Sequence, residues 1–382
     1  MKLSLHKGKR MVAMVLAMSM FCPQVFAAEE VPAEALPVLT VEEALDKAKK
    51  HDVELKNIED ALELVLEREE DLDETVGSVS LPNYDFERWT DDWLFDLYYG
   101  VLQLEHGKKQ AALGKSLQNL ILETTVKTYF TTILSIEDGL ELARDNAEMQ
   151  QKAYQQGYTK YRLGMLSKYN LDQLKFAAEK AKNSVLTAEA GLEQVYTTFN
   201  DLIGEAPEKR FDFVYDLTFE PYEMDKPMDQ YIREVMKDDL MIQMQELTAD
   251  AAKFKANYRG LSNTSKIAME SDKLAYTQAE RSLRKAKSDK ETLVRNTYLQ
   301  IKAKEVEYAS AKADLEKAQA DYRVAQLSYQ AGNITKMAVE GAAMGVAAAE
   351  STLNSLLYEY DMLVYRFENP SLLSNSAQTQ QK

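Results

Sequence analysis

The residue types that most often carry out chemistry are sparse in this 382-residue chain, and they are not grouped along it. His51 and His106 are the only histidines beyond the N-terminal segment, and neither has the cysteine or carboxylate spacing of a metal site. The chain contains no glycine-rich phosphate-binding loop and no nucleophile beside a base in a known catalytic motif. The sequence therefore predicts a protein that is not an enzyme and has no catalytic residue, metal site or cofactor.

Carboxylates are the most abundant charged groups of the chain. It has 62 Asp and Glu against 46 Lys and Arg, which gives a formal net charge of −16 at pH 7. Such a surface repels phosphates and the sequence shows no basic stripe, so we expect no nucleic-acid partner. The densest acidic run, Glu67–Asp71, is compatible with cation binding, but a hydrated helix face is the commoner role of such a run.

Residues 1–27 have the three-part pattern of an export signal. Basic residues precede an apolar run from Met11 to Phe21, and Val25–Ala27 supplies the cleavage site. The apolar run is too short to span a bilayer as an anchor. A lipoprotein signal would place a small residue before Cys22, where Phe21 stands. We therefore expect cleavage after Ala27 and an exported mature chain without cysteine, which suits an oxidising compartment.

The chain repeats itself at a fixed offset of 168 residues: Tyr154, Gly164 and Phe199 return as Tyr322, Gly332 and Phe367. A repeat of this length is one structural unit used twice. The sequence predicts two such units, over residues 28–203 and 228–370. A linker at 204–227 joins them, and a disordered polar tail follows at 371–382.

Apolar residues within each copy follow a coiled-coil period. They alternate spacings of three and four from Leu171 to Leu202 and again from Val339 to Phe367. Each copy thus predicts two long helical arms that meet at a breaker, Leu163–Ser167 or Ala331–Thr335. There a glycine precedes a Ser or Thr able to cap the returning helix. The predicted fold is all-α, with two tandem long antiparallel helical hairpins that bury their apolar flanks by self-association.

Shorter elements are expected around these arms. Thr40 is followed three residues later by Glu43, which predicts a capped helix from Val41 onward. A weaker counterpart is expected over Met228–Leu240, and the linker holds one candidate strand within Phe211–Tyr215. His106 and Gly107 are expected to mark a helix break.

In the order of its motifs the chain resembles the TolC family of outer-membrane efflux proteins. The resemblance covers residues 38–369 and rests on the spacing and context of Leu39–Leu45, Tyr161–Ser167 and Tyr329–Thr335. It implies a non-catalytic conduit, a homotrimer in which two hairpins per subunit form a coiled-coil α-barrel. It also implies that a periplasmic adaptor and its inner-membrane pump meet the conduit at the hairpin tips. The corresponding residues are Leu163, Gly164, Met165, Leu166, Ser167, Ala331, Gly332, Asn333, Ile334 and Thr335.

One departure from the family concerns the membrane strands that its members insert between the opening helix and the long arm. A membrane strand needs about 9–11 residues of alternating polarity, and residues 252–294 show no such alternation. In the first copy, Asp91, Asp92 and Asp96 interrupt any strand pattern. We therefore expect little or no β-barrel.

The aromatic residues beside those aspartates admit two interpretations. Trp89, Trp93, Tyr98 and Tyr99 form either a lipid-interface or partner-docking patch, or a small core at the end of the helical bundle. The small core is slightly favoured.

A second departure concerns the mouth of the tunnel, where family proteins can carry an acidic ring just past the second glycine turn. Ala338 and Gly341 stand at the expected positions, with Glu340 between them. Asp172 and Glu340 are the candidate tunnel-mouth acids, and solvated helix charge is the commoner role for such residues on so acidic a surface.

Two functions follow from these patterns. The first is a TolC-like efflux or secretion duct component, associated with the outer membrane, whose tips dock a pump adaptor. The second is a barrel-less periplasmic helical scaffold or envelope tether, which the lack of membrane strands favours. Both place the exported chain in the periplasm or at the outer membrane.

Overall fold

The computed structural model describes residues 36–76, 92–258 and 265–373. The predicted export signal, residues 1–27, lies outside the described residues. In chain order the elements are β1 (Val38–Thr40), α1 (Val41–His51), α2 (Val53–Val76), α3 (Asp92–Arg162), α4 (Lys168–Ile203), β2 (Asp212–Val214), α5 (Met228–Asp238), α6 (Leu240–Tyr258), α7 (Lys266–Gln330), α8 (Lys336–Glu368) and a 3-10 helix (Pro370–Leu372).

Two long antiparallel hairpins dominate the fold. The first pairs α3 with α4, and the second pairs α7 with α8. Helix α3 has 71 residues and α7 has 65, so each reaches roughly 100 Å at about 1.5 Å per residue. The ends of the arms keep the 168-residue offset, since Arg162 and Lys168 correspond to Gln330 and Lys336. The predicted all-α fold with two tandem helical hairpins is confirmed.

The opening helices α1 and α5 have the same length and the same kind of end. Thr40 and Glu43 form the predicted capping box at the start of α1, each side chain accepting from the other's backbone N–H. Asp52 follows α1, and its Oδ1 accepts from Leu55 N at 2.5 Å. Asp239 follows α5 and accepts from Ile242 N at 2.9 Å in the same way. One aspartate thus ends each opening helix and starts the next helix.

Each copy has its own hydrophobic core where its opening helix crosses the hairpin. Val126 and Phe199 of the first core and their counterparts Val294 and Phe367 of the second are all fully buried. Equal burial at equivalent positions explains why these apolar residues recur at the fixed offset.

The linker between the copies is folded onto both of them. The candidate strand is present as β2, which pairs in parallel with β1, Leu39 standing opposite Phe213. Further along, Tyr222 N donates to Glu305 Oε1 of α7 at 2.9 Å. Tyr215 OH donates to Asp361 Oδ2 of α8 at 2.5 Å. The linker therefore fixes the second hairpin relative to the first.

Beyond these cores, at the end away from the tips, α3 and α7 lie in a row with two further helices. The order in the row is α2, α3, α6, α7. Adjacent helices run antiparallel. Lys108 and Lys115 of α3 pair with Glu69 and Glu59 of α2. Lys287 and Lys290 of α7 pair with Glu246 of α6 and with Asp239 just before it. The positions predicted to lack membrane strands are thus helical where the structure describes them; residues 77–91 and 259–264 lie outside that part. Within the described ranges, no helix carries an apolar stretch long enough to cross a bilayer.

Helix α3 passes through His106 and Gly107 without interruption, so the predicted helix break is wrong. Gly107 faces α2, and a Cβ added there would lie 3.5 Å from Val65 Cγ2. His106 is buried, with Nε2 3.2 Å from Asp250 Oδ2 of α6. Packing on both sides of α3 outweighs the low helix propensity of glycine.

The beginning of the predicted polar tail is held against α6 and α7. Lys290 Nζ donates to Pro370 O at 2.8 Å and to Leu373 O at 3.0 Å, and it pairs with Asp239 Oδ2 at 3.0 Å. Ser371 Oγ accepts from Leu240 N. Residues 371–373 are therefore folded onto the body, in contrast to the predicted disorder, while 374–382 lie outside the described residues.

Candidate docking tips and tunnel mouth

Both hairpin tips end their first arm with the same backbone motif. Gly164 and Gly332 have φ values of 71° and 74°, in the left-handed region that favours glycine. Met165 N donates to Lys160 O at 2.9 Å, and Asn333 N donates to Ser328 O at 2.8 Å. Each of these hydrogen bonds joins residues five apart in the chain, which is the closing bond of a Schellman motif. The glycines predicted at the turns are therefore required by the backbone conformation.

The returning arms start with the predicted hydroxyl caps. Ser167 Oγ accepts from Asn170 N at 3.2 Å, and Thr335 Oγ1 accepts from Ala338 N at 3.3 Å. Each cap satisfies one of the backbone N–H groups that the first helical turn leaves unpaired. The tips are thus short, capped turns between rigid helices.

The two tips differ in what they present to solvent. Leu163 and Met165 of the first tip are 69% and 72% exposed. The corresponding residues of the second tip, Ala331 and Asn333, are also exposed but are small or polar. The large, strongly exposed apolar side chains are therefore on the first tip.

The arms approach each other closely just behind the first tip. A Cβ added at Gly157 would lie 2.3 Å from Leu174 Cδ1, so a larger residue at this position would require the leucine side chain to move. The second copy has Ala325 and Ala342 at these positions. A glycine beside a leucine in the first copy thus corresponds to two alanines in the second.

The two hairpins lie side by side with their tips at the same end. Their contact is between α3 and α8. Asn354 Nδ2 donates to Asp138 Oδ2 at 3.3 Å. Nearer the tips, Lys152 Nζ lies 3.5 Å from Glu340 Oε2. Polar contacts along α3 and α8 therefore align the two tips.

The candidate tunnel-mouth acids occupy equivalent places in the two copies, since Asp172 and Glu340 are 168 residues apart. Glu340 contacts two cations: Lys152 at 3.5 Å and Lys336 at 3.7 Å. Asp172 is half-buried near the start of α4. The structure thus places both acids near the tips, and Glu340 is part of a mixed cluster with lysines.

Lys152 is the centre of that cluster, and the sequence analysis did not single it out. Its hydrogen bond with Glu148, together with the nearby Glu340, raises the pKa of the Lys152 ammonium. The same bond lowers the pKa of the Glu148 carboxyl. A lone lysine on a helix surface has no motif signature. Its contact with Glu340 depends on how the two hairpins pack.

The two histidines lie in different parts of the fold and do not share a site. His106 lies against Asp250 between α3 and α6, whereas His51 ends α1 beside Gly204. In the part of the chain that the structure describes, no three or more His, Cys, Asp or Glu residues are grouped as metal ligands.

The aromatic residues at the end of the helical row away from the tips form a cluster within the chain. Phe95 and Tyr99 of α3 pack on Phe254 of α6, with ring centroids 5.8 and 6.0 Å away. Lys255 Nζ lies 4.6 Å from the Tyr99 ring centroid. For Tyr99 this arrangement matches the small-core interpretation. Trp89 and the side chain of Trp93 lie outside the described residues.

Comparison with known proteins identifies the fold. No protein-family model and no curated protein sequence matches this chain. The outer membrane protein VceC from Vibrio cholerae matches it in structure with a TM-score of 0.65 and 11% identity, over 86% of this chain and 96% of VceC. The CmeC outer membrane channel of Campylobacter jejuni also gives a TM-score of 0.65, at 12% identity over 95% of this chain and 97% of CmeC. The chain has the fold of these outer-membrane proteins, so the resemblance to the TolC family is confirmed for the fold.

Proposed function

We propose that the mature chain is one subunit of a non-catalytic efflux or secretion duct in the periplasm and at the outer membrane. The observation that carries this proposal is the pair of aligned, capped hairpins in a fold shared with outer-membrane channels over most of the chain. Long, rigid helical arms joined by a short turn are suited to form the wall of a long duct. The described residues around the tips are suited to binding a protein, and they are not arranged as a catalytic site.

The duct requires several copies, because a single subunit leaves large apolar side chains in water. Phe176 and Leu186 on α4 are 59% and 54% exposed, and Val306 and Val324 on α7 are 70% and 61% exposed. Exposed apolar residues recurring along a long helix mark a surface that another helix covers. A homotrimer, the assembly implied by the family resemblance, would cover these flanks in a closed coiled-coil barrel.

The hairpin tips are proposed to dock a periplasmic adaptor and, through it, an inner-membrane pump. Leu163 and Met165 supply exposed apolar side chains on a turn held rigid by its caps. Such a contact loses little conformational freedom on binding, because the turn is already ordered. The second tip, with Ala331 and Asn333, would contribute a polar, close-fitting surface.

Asp172 and Glu340 are proposed to line the mouth of the duct, one from each hairpin. In a homotrimer the equivalent positions would alternate around the ring. Lys152 and Lys336 partly neutralise Glu340, so the cation preference of the mouth would depend more on Asp172.

Substitution of the first tip tests the docking role. Leu163→Asp with Met165→Asp should abolish export of the pump's substrate while leaving the arms helical, because both side chains are exposed. Asn333→Asp is the matched control, since it adds a carboxylate to the second tip without removing an apolar contact. Unchanged export in the Leu163/Met165 variant would contradict adaptor docking at the first tip.

A helical scaffold or envelope tether is the second candidate function, and the four-helix row of α2, α3, α6 and α7 favours it. These helices occupy positions where the family inserts membrane strands. Fractionation separates the two candidates. A duct subunit should stay with the membrane after salt and alkaline washes, whereas a scaffold should be released into the soluble fraction.

A further inference from the structure

The four-helix row has two free edges. Helix α2 contacts α3, α3 contacts α6, and α6 contacts α7, so α2 and α7 are the outermost helices of the described row. Each helix runs antiparallel to its neighbour. A second α2 placed beside α7 would continue the row in the same alternating order.

The outer edge formed by α2 is acidic with an apolar centre. Ile58 and Val65 turn inward, against Gly114 and Gly107 of α3. Leu64 lies about 100° around the helix from Val65 and is 48% exposed. Exposed carboxylates surround it: Glu54, Asp60, Glu63 and Glu67. Among the described residues, Asp60, Glu63 and Glu67 have no ion-pair partner.

The outer edge formed by α7 has the opposite charge around the same kind of centre. Leu274 is 56% exposed, and Ile267 is exposed one heptad before it. Arg281, Arg284 and Lys285 follow on the exposed side of the helix. No carboxylate of the described chain pairs with Arg281, and Arg284 has only a 3.8 Å contact with Glu280 on its own helix.

The two edges match in one antiparallel register. If Leu64 of α2 lies opposite Leu274 of α7, Glu54 comes opposite Arg284. In the other direction Arg68, an exposed base of α2, comes opposite Glu270, an exposed acid of α7.

We propose that α2 of one copy packs against α7 of the next copy through these edges, which closes the four-helix rows into a ring. The contact is head-to-tail, because an acidic edge meets a basic edge of a second copy of this chain. A head-to-tail contact yields a closed ring when its rotation closes. This inference rests on the proposed homotrimer and specifies how the end of the assembly opposite the tips is built.

The charges would set the register, while the leucines would supply most of the buried apolar area. Exposed ion pairs contribute little affinity, but like charges brought together suppress wrong alignments.

A cysteine pair tests the register directly. The mature chain is expected to contain no cysteine, so Leu64→Cys with Leu274→Cys introduces a single possible cross-link. Its two Cα atoms must come within about 7 Å for a disulfide to form. Under mild oxidation we expect the monomer band to be lost in favour of covalent oligomers on a non-reducing gel. Each single variant should stay monomeric on that gel, since position 64 meets position 274 and not itself.

Leu66→Cys with Leu274→Cys is the matched control, because Leu66 is equally exposed but lies on a different side of α2. Light scattering in reducing buffer accompanies both variants. A trimer whose 64/274 pair cross-links no better than the 66/274 pair would overturn the edge contact and leave the proposed duct intact. A monomer in reducing buffer would overturn both, and cross-linking of a single variant would show a symmetric contact and overturn the head-to-tail arrangement.

Discussion

Lys152 Nζ of α3 lies 3.5 Å from Glu340 Oε2 of α8, and this ion pair joins the two hairpins of one subunit near their tips. It connects helices that are distant in sequence and belong to different copies of the repeat. The alignment of the tips therefore depends on contacts that neither copy contains alone.

The strength of this link can be measured by a double-mutant cycle. Both side chains are partly exposed, so the coupling between Lys152→Met and Glu340→Gln should be favourable but small. It should fall in 1 M salt, where the Debye length is about 3 Å. Thermal unfolding of the two single variants and the double variant provides the values. Zero coupling at low salt would show that the pair does not form in solution.

The glycine turns should resist substitution by residues that avoid the left-handed region. Gly164→Val and Gly332→Val each place a β-branched residue at a positive φ, which costs roughly 1–2 kcal/mol for an L-residue. We expect a lower thermal midpoint with unchanged helical circular dichroism. Asn at the same positions is the control, because Asn enters this region more easily. Equal midpoints for the Val and Asn variants would contradict the strained-turn account.

The two cores should respond alike to the same truncation. Phe199 and Phe367 are fully buried at equivalent positions, so each change to Ala should cost about 3–5 kcal/mol. Denaturant unfolding of the purified protein measures the loss. Phe176→Ala removes a side chain that is 59% exposed in the subunit and covered in the proposed trimer, so its effect should instead appear as weaker association that depends on protein concentration. A small loss at Phe367 alone would mean that the second core contributes little to folding.

The buried pair of Lys290 and Asp239 makes a sharper prediction. Removing one partner leaves a buried charge without compensation, so Lys290→Met should destabilise the protein by about 3–5 kcal/mol. Adding Asp239→Asn should recover much of this loss, since an amide oxygen can still accept from Ile242 N. If the double variant is less stable than Lys290→Met alone, the charge on Asp239 is not the cause of the loss.

Glu205 gives a pH-dependent prediction. Hydrogen bonds from Lys209 and Lys47 hold the pKa of its carboxyl below the ordinary value. A lowered folded-state pKa adds stability above the unfolded-state pKa, and this stability is lost as the pH falls through the folded-state pKa. Glu205→Gln should therefore be less stable than the parent near pH 7, by about 0.5–1 kcal/mol, and equal to it near pH 2. A difference that persists at pH 2 would assign the effect to packing.

The sequence determines the hairpin architecture because its signals are local. Gly164, Gly332, Ser167 and Thr335 act within one turn of the chain, and the heptad spacing acts along a single helix. The capping box at Thr40 is equally local. For these elements the structure confirms the prediction at the level of individual hydrogen bonds.

The remaining features depend on contacts between distant segments, which local patterns do not encode. Strand β1 has three residues, too few to show alternation, and it is set by pairing with β2. Gly107 remains helical because α2 packs on it, and residues 371–373 are held by Lys290. At the candidate site, the partnership of Lys152 with Glu340 could be recognised only after the hairpins were placed side by side.

The most direct test of the account is the mass of the purified mature protein by light scattering across a range of concentrations. The proposed ring predicts three times the subunit mass, with a strongly helical circular dichroism spectrum. A well-folded monomer that persists at high concentration would contradict it, because the exposed apolar flanks of the arms would then need no partner.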